Sequence, residues 1–358
     1  MRIAFFGSSL VSAYWNGAAT YYRGLIRALS ELGHDVTFYE PDAFERQQHR
    51  DIDDPGWATV VVYGGEDEQD ALAALEQAAG ADVLVKASGV GVFDALLERE
   101  VPETDAALRV FWDVDAPATL GRLESDGTDP FHELLPRYDL VLTYGGGEPV
   151  VDRYAALGAR RCVPVYNALD PTTHFRVEPD ERFACDLAFL GNRLPDREAR
   201  VEDFFLRAAS HAEDATFLLG GNGWETRPLP QNVRYLGHVY THEHNALNST
   251  ARAVLNVSRR SMAENGFSPA TRVFEAAGAA ACLISDDWLG LELFLEPGSE
   301  VLVVRDGLEV ASLVKGLDDD EARRIGEAAQ RRVLREHTYA HRAEQVDAIL
   351  AAEVQARV

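Results

Sequence analysis

The sequence predicts an α/β protein with two doubly wound domains, each a parallel sheet covered by helices on both faces. Three observations carry that expectation. Short apolar runs alternate with segments of helical period along nearly the whole chain. Many of those runs end in glycine or a polar cluster, as at Gly7-Ser8-Ser9 and Gly191-Asn192-Arg193. The alternation is interrupted once, between residues 167 and 182, so that the 358 residues fall into two stretches of ordinary domain size.

In the first stretch residues 3–6 read as a strand, 21–32 as a helix stopped by Gly33-His34-Asp35, and 36–39 as the next strand. Residues 59–62, 83–86, 108–112, 140–143 and 161–165 continue as strands, with helical patterns over 67–79, from 92, and over 149–157. In the second stretch 186–190, 216–219, 233–236, 253–257 and 281–285 read as strands, 198–209 and 271–278 as helices, and 319–334 and 341–352 as a closing helical pair. Strand-end glycines in both halves are the Rossmann-like signature of ligand contacts on the loops at the carboxyl ends of the strands.

Composition narrows the function. With a net charge of -25 and only two lysines, Lys86 and Lys315, the surface repels nucleic acid and anionic lipid, and a phosphate-bearing substrate needs a locally positive pocket made by arginine. Cys162, Cys185 and Cys282 each lie in an apolar or strand-like run, which predicts reduced thiols and a cytoplasmic protein. Residues 1–7 read as a first strand rather than a signal peptide, and no apolar run approaches the roughly 18 residues a membrane span needs. His238, His242 and His244 cluster with Glu243, but the spacing matches no zinc motif, so no metal is expected.

The stretch Asn232-Val233-Arg234-Tyr235-Leu236-Gly237-His238-Val239, with Gly266-Phe267-Ser268-Pro269-Ala270-Thr271-Arg272-Val273-Phe274-Glu275-Ala276 beyond it, resembles the C-terminal domain of GT-B glycosyltransferases. Continuation through Cys282-Leu283-Ile284-Ser285-Asp286 and residues 290–298 is most similar to the CgeB-like (spore maturation protein-like) branch, related to the group 1 glycosyltransferases. The resemblance covers essentially the whole chain. It implies a GT-B fold, two Rossmann-like domains facing each other across a cleft. Residues 1–172 would then bind the acceptor, 173–338 the nucleotide sugar, and 339–358 would form a helix packing back towards the first domain. The implied substrates are a UDP-, GDP- or dTDP-linked sugar and an unknown acceptor, with no cofactor or metal, in a monomer or homodimer.

Site residues follow partly from the resemblance and partly from chemistry. By resemblance Glu275 accepts from ribose hydroxyls, Val239 and Tyr240 lie near the base, and Gly17 reaches the diphosphate; His238, in the histidine cluster, is expected to approach the donor. Diphosphate needs backbone donors at a helix start or arginine forks. Ser268 as cap with Pro269 at the first helical position, then Ala270 and Thr271, offers the former; Arg193 first and Arg259 second offer the latter, with Arg197 and Arg260 weaker. The related retaining enzymes carry two glutamates separated by seven intervening residues; here Glu264 and Glu275 are separated by ten. Trp224, after a Gly-rich run, is a candidate cleft residue. In the first half Trp112-Asp113-Val114-Asp115 ends a strand, so Asp113 is the expected general base and Asp115 its runner-up, with Trp112, Lys86 and Tyr144 on the acceptor side. A nucleotide-sugar epimerase or hydrolase of the same architecture, or a non-catalytic nucleotide-sugar-binding protein, remain the alternatives.

Overall fold

The computed structural model describes residues 1–357. They form two compact units, Met1–Asn167 together with the terminal helix Tyr339–Gln355, and Ala168–Thr338. The change of unit thus falls at residue 168 rather than 173.

The first unit holds strands β1 (Arg2–Phe6), β2 (Asp35–Asp42), β3 (Thr59–Gly64), β4 (Ala81–Ala87), β5 (Ala106–Asp113), β6 (Leu140–Thr143) and β7 (Cys162–Pro164). They make one seven-stranded sheet in the order β3-β2-β1-β4-β5-β6-β7. Every pairing is parallel. Successive side chains of a strand point to opposite faces, so the adjacent aromatics of β1 seed two cores. Phe5 stacks on Phe38 and approaches Trp112 on one face, while Phe6 stacks on Tyr39 on the other. The terminal helix completes the first of these layers against the helix Ala19–Glu31: a Cβ at Gly24 would enter the Tyr339 ring. Arg342 donates to the carbonyls of Tyr166 and Asn167, and Gln345 to that of Pro164.

The second unit holds β8 (Leu187–Leu190), β9 (Phe217–Gly220), β10 (Val233–Gly237), β11 (Ala253–Asn256), β12 (Cys282–Asp286) and β13 (Leu302–Val304), in the order β10-β9-β8-β11-β12-β13. In each sheet the order runs outward one way from the first strand and then the other way. The reversals lie between β1 and β4 and between β8 and β11, and a crevice opens beyond the carboxyl ends of strands at such a switch point. The three cysteines are unpaired. No helix among the described residues is long and apolar enough to cross a membrane.

Candidate functional site

The two units share a device at the carboxyl ends of their fourth and fifth strands. In the first, Asp113 ends β5 fully buried and accepts from Ser88 Oγ at 2.7 Å, Thr119 Oγ1 at 3.1 Å, the Asp115 amide at 3.0 Å and Tyr154 Oη at 2.5 Å. In the second, Asp286 ends β12 fully buried and accepts from Ser258 Oγ at 3.2 Å, the Ser258 amide at 3.1 Å and Arg200 at 2.6 Å. Each carboxylate ties the serine beyond one strand to the end of its neighbour. Burial, with the Asp113 charge next, pushes the Tyr154 phenol well above its ordinary value, so it stays a donor. Asp113, expected as a general base, is thus placed as a structural staple, fully buried with both oxygens engaged.

Two further residues expected on the acceptor side are buried with internal partners. Lys86 is fully buried, 2.8 Å from Asp94 and 3.5 Å from Glu98, closing an internal ion-pair network that Arg122 extends. Trp112 is buried and donates to Tyr21 Oη at 3.1 Å. Asp115 differs: it is exposed and caps the helix Ala116–Ser125. Tyr144 is half-buried with its ring edge-on to Tyr21. Gly17 is exposed, and no heavy atom lies within 4 Å of where its Cβ would stand.

The second unit gathers its charge elsewhere. The helix Thr271–Gly278 starts at Ala270 with no side-chain cap, because Ser268 Oγ turns back to the Gly266 carbonyl at 2.9 Å. The start is thus two residues later than Pro269 suggested, and it leaves the first-turn donors to other partners. One turn in, Arg272 and Glu275 share a face, Nη1 to Oε2 3.7 Å. His174 Nε2 stands 3.8 Å from the other Glu275 oxygen. His244 donates through Nε2 to the Val239 carbonyl at 3.4 Å, which leaves Nδ1 as a lone-pair acceptor.

What marks this cluster is unsatisfied hydrogen bonding. Nε and Nη1 of Arg272, Nε of Arg197, Nδ1 of His244 and Nε2 of His174 are all buried without a hydrogen-bond partner. A buried polar group left unpaired costs about 1–3 kcal/mol. Four of these atoms belong to the residues that surround the Glu275 carboxylate, and the fifth belongs to Arg197, which feels the charge of Arg272. The electrostatics agree. Burial raises the Glu275 carboxyl, but Arg272, His174 and His244 together outweigh it and hold it below the usual range. Burial, then the charge of Arg272, pushes His244 down to about 4, so the ring is neutral at pH 7. Burial and the charges of Arg272 and Arg259 lower Arg197 to about 10, and it keeps its charge. Fixed cations thus stand beside two acceptors, Glu275 and His244 Nδ1. That combination suits a ligand with anionic oxygens next to vicinal hydroxyls.

The strand ends shape the approach. A Cβ at Gly221 would strike the Gly191 carbonyl, and one at Gly191 would meet the Arg197 guanidinium at 2.7 Å, so both glycines serve close approach. Arg193 is held by Glu198 at 2.5 Å and Arg259 by Asp196 at 2.5 Å, which leaves Arg197 and Arg272 as the cations in the cluster. Trp224 is buried, donating to the Gly191 carbonyl, and forms part of the core instead of a cleft wall. Val239 is buried against Gly220, whereas Tyr240 is 59% exposed with His238 edge-on to it. Phe267, at φ 46°, is a left-handed aromatic whose ring fills the space that a side chain at Gly290 would need. It fixes the loop that delivers Pro269 and Ala270 to the helix start.

Ligand atoms of His174, His244 and Glu275 lie within 4.8 Å of one another, close enough to receive a cation. Arg272 beside the same carboxylate opposes that use, since a fixed positive charge repels a metal and attracts an anion. Of the residues that make the cluster, sequence reasoning found Glu275, ranked Arg197 low, placed His244 with His238 instead of His174, and passed over Arg272 and His174. The three-residue step from Arg272 to Glu275 on one helix face was the available signal. His174 had none, lying in an aperiodic stretch.

Both strand orders define a two-unit Rossmann-like α/β protein. A family of glycosyl transferase-like sequences matches residues 197–348, which include Arg197, His244, Arg272 and Glu275. Among solved structures, the chain is similar to sucrose-phosphate synthase from Thermosynechococcus elongatus (14% identity, TM-score 0.70, 99% of this chain and 100% of that one). It is also similar to Anabaena HepE in complex with UDP and glucose (14%, 0.68, 98% and 100%). T4 phage BGT, in complex with its UDP-glucose substrate, is a third (13%, 0.62, 98% and 99%). No curated protein sequence matches significantly. The chain has the GT-B fold, two Rossmann-like α/β domains built on parallel sheets.

Proposed function

We propose that this protein is a glycosyltransferase that takes a sugar from a nucleotide diphosphate donor held on the second unit. The observation that carries the reading is the cluster of unpartnered nitrogens around Glu275. Arg272 and Arg197 pair with diphosphate oxygens, while Glu275 and His244 Nδ1 accept from ribose hydroxyls. Tyr240, exposed beside His238, offers a face to the base, and Arg193, Arg259 and the loop 268–271 form the outer wall. In transfer, an acceptor oxygen bonds to the anomeric carbon as the bond to the β-phosphate breaks, and the electron pair passes to the departing diphosphate. Cations preorganised at that diphosphate lower the barrier because its charge grows in the transition state. With Asp113 sealed, Asp115 is the proposed acceptor of the hydroxyl proton, with Tyr144 and Gly17 on the acceptor side. The cation cluster also supports metal-independent transfer. The finer affiliation with the CgeB-like branch, and a cytoplasmic setting for the unpaired thiols, belong to the same reading.

Thermal unfolding with UDP, GDP and dTDP and their sugars tests it, since a ligand bound only to the folded chain raises the midpoint. The expected result is a rise with at least one nucleoside diphosphate, absent for the free nucleoside and for Zn2+ alone. Stabilisation by the metal without nucleotide would turn the cluster into a cation site.

A further inference from the structure

The switch point of the first unit carries a different surface. Trp15, in the loop after β1, is 82% exposed, and Phe44, in the loop after β2, is 53% exposed. Tyr14, 38% exposed, stands edge-on to Trp15 and stacks on His49 at 4.1 Å. Trp15, Phe44 and Phe93 all hold left-handed backbones, at φ 48°, 55° and 57°. Bulky residues are rare in that region, and such strain persists only where surrounding contacts impose it.

Those contacts are present. Buried Arg46 donates to the carbonyls of Ser8, Val90 and Trp15 and lies over the Phe44 ring, binding the loops after β1, β2 and β4 into one body. Asn16 donates to the carbonyls of Ser9 and Ser12 and accepts from Ser8, and Asp51 accepts from the Ala13 amide while pairing with Arg23. Trp15 is therefore an exposed indole on a fixed loop. An aromatic presented in this way gives up little entropy when a ligand lies on it.

We propose that Trp15, with Tyr14 and Phe44, forms a stacking subsite for a saccharide acceptor, a neutral or amino-bearing pyranose; this rests on the glycosyltransferase reading above. One face of a pyranose is a plane of C–H bonds that the electron-rich face of an indole attracts, and its rim is hydroxyl. The rim here meets a carboxylate, that of Glu45, with 65% of its side chain exposed. Carboxylates accept from hydroxyls and ammonium groups and repel phosphate, so a phosphorylated sugar is disfavoured. A lipid surface is disfavoured too, because the rings are interleaved with charge and the chain carries -25 overall.

Saturation-transfer NMR on the full chain tests this, with the methyl α- and β-pyranosides of glucose, galactose, glucosamine and N-acetylglucosamine as probes and glucose 6-phosphate as the charged comparison. Transfer to the ring C–H protons of at least one methyl glycoside is expected. Affinity falls about tenfold in Trp15→Ala and is largely kept in Trp15→Phe, the scale of a lost aromatic stacking contact. No transfer from the wild type to any glycoside, equal transfer in Trp15→Ala, or stronger binding of glucose 6-phosphate would each overturn the subsite. Nucleoside diphosphate stabilisation is read on the same samples. Its absence with sugar contacts intact would remove the transferase reading and leave the stacking subsite standing.

Discussion

The carboxyl-end edges of the two units are built on the same frame and finished in opposite ways. Both have a switch point beside the first strand, and both staple the fourth strand to the fifth through a serine and a buried aspartate, Ser88 with Asp113 and Ser258 with Asp286. The second unit adds cations with buried nitrogens left without a hydrogen bond, Arg272 and Arg197; the first adds exposed aromatics on its loops. The difference teaches how to separate architecture from chemistry in a doubly wound fold. A carboxylate whose oxygens are all occupied belongs to the frame, whereas one ringed by unpaired donors is where a ligand is to be sought.

The sharpest way to break that comparison is to remove the frame. Asp113→Ala orphans Ser88, Thr119 and Tyr154, and a loss of about 3–4 kcal/mol in urea unfolding is expected from those donors and the cavity. Nucleotide stabilisation of whatever remains folded should be unchanged; a variant of full stability that loses only transfer would restore Asp113 as a base. Next in size, Arg272→Ala should weaken nucleoside diphosphate binding about 30-fold, roughly 2 kcal/mol for a charge-assisted contact, while leaving the unfolding midpoint without ligand unchanged or raised. Equal calorimetric affinity in wild type and variant would exclude Arg272 from the site.

The smallest effect concerns pH. His244 titrates near 4 in the folded chain and near the ordinary ~6.5 when unfolded, so between those values the unfolded chain takes up a proton that the fold refuses. Stability contributed by the neutral ring is complete above ~6.5 and is lost as the pH falls towards 4. Glu275, held below its ordinary range, adds a loss of the same sign at still lower pH. His244→Asn should flatten the acid limb of the stability profile by on the order of 1–2 kcal/mol across that window. Parallel profiles for the two proteins would place His244 outside the charged cluster.

Much of the architecture was legible because buried parallel strands are short apolar runs with glycine or polar ends, as in Ile3–Phe6 or Phe217–Gly220. Strand β13, three residues long, was missed, as were the helices Ala116–Ser125 and Gly307–Gly316. The first is too short to show a period, and Ala116–Ser125 begins directly behind the strand end read at Trp112–Asp115. The site was less legible for a different reason. Asp113 and Asp286 are the same kind of residue in the same kind of place as a catalytic carboxylate, and only their partners reveal the staple. His174 reaches Glu275 from about a hundred positions away in the chain, a proximity that arises from folding alone and that no local spacing encodes.

The notch at Gly24, filled by Tyr339, orders events during synthesis. A nascent chain must thread all of residues 168–338 through the ribosome before the helix that completes the first unit exists. The half made last can therefore finish folding first, while the half made first waits with an aromatic-sized gap on one face, open to chaperones until its closing helix arrives.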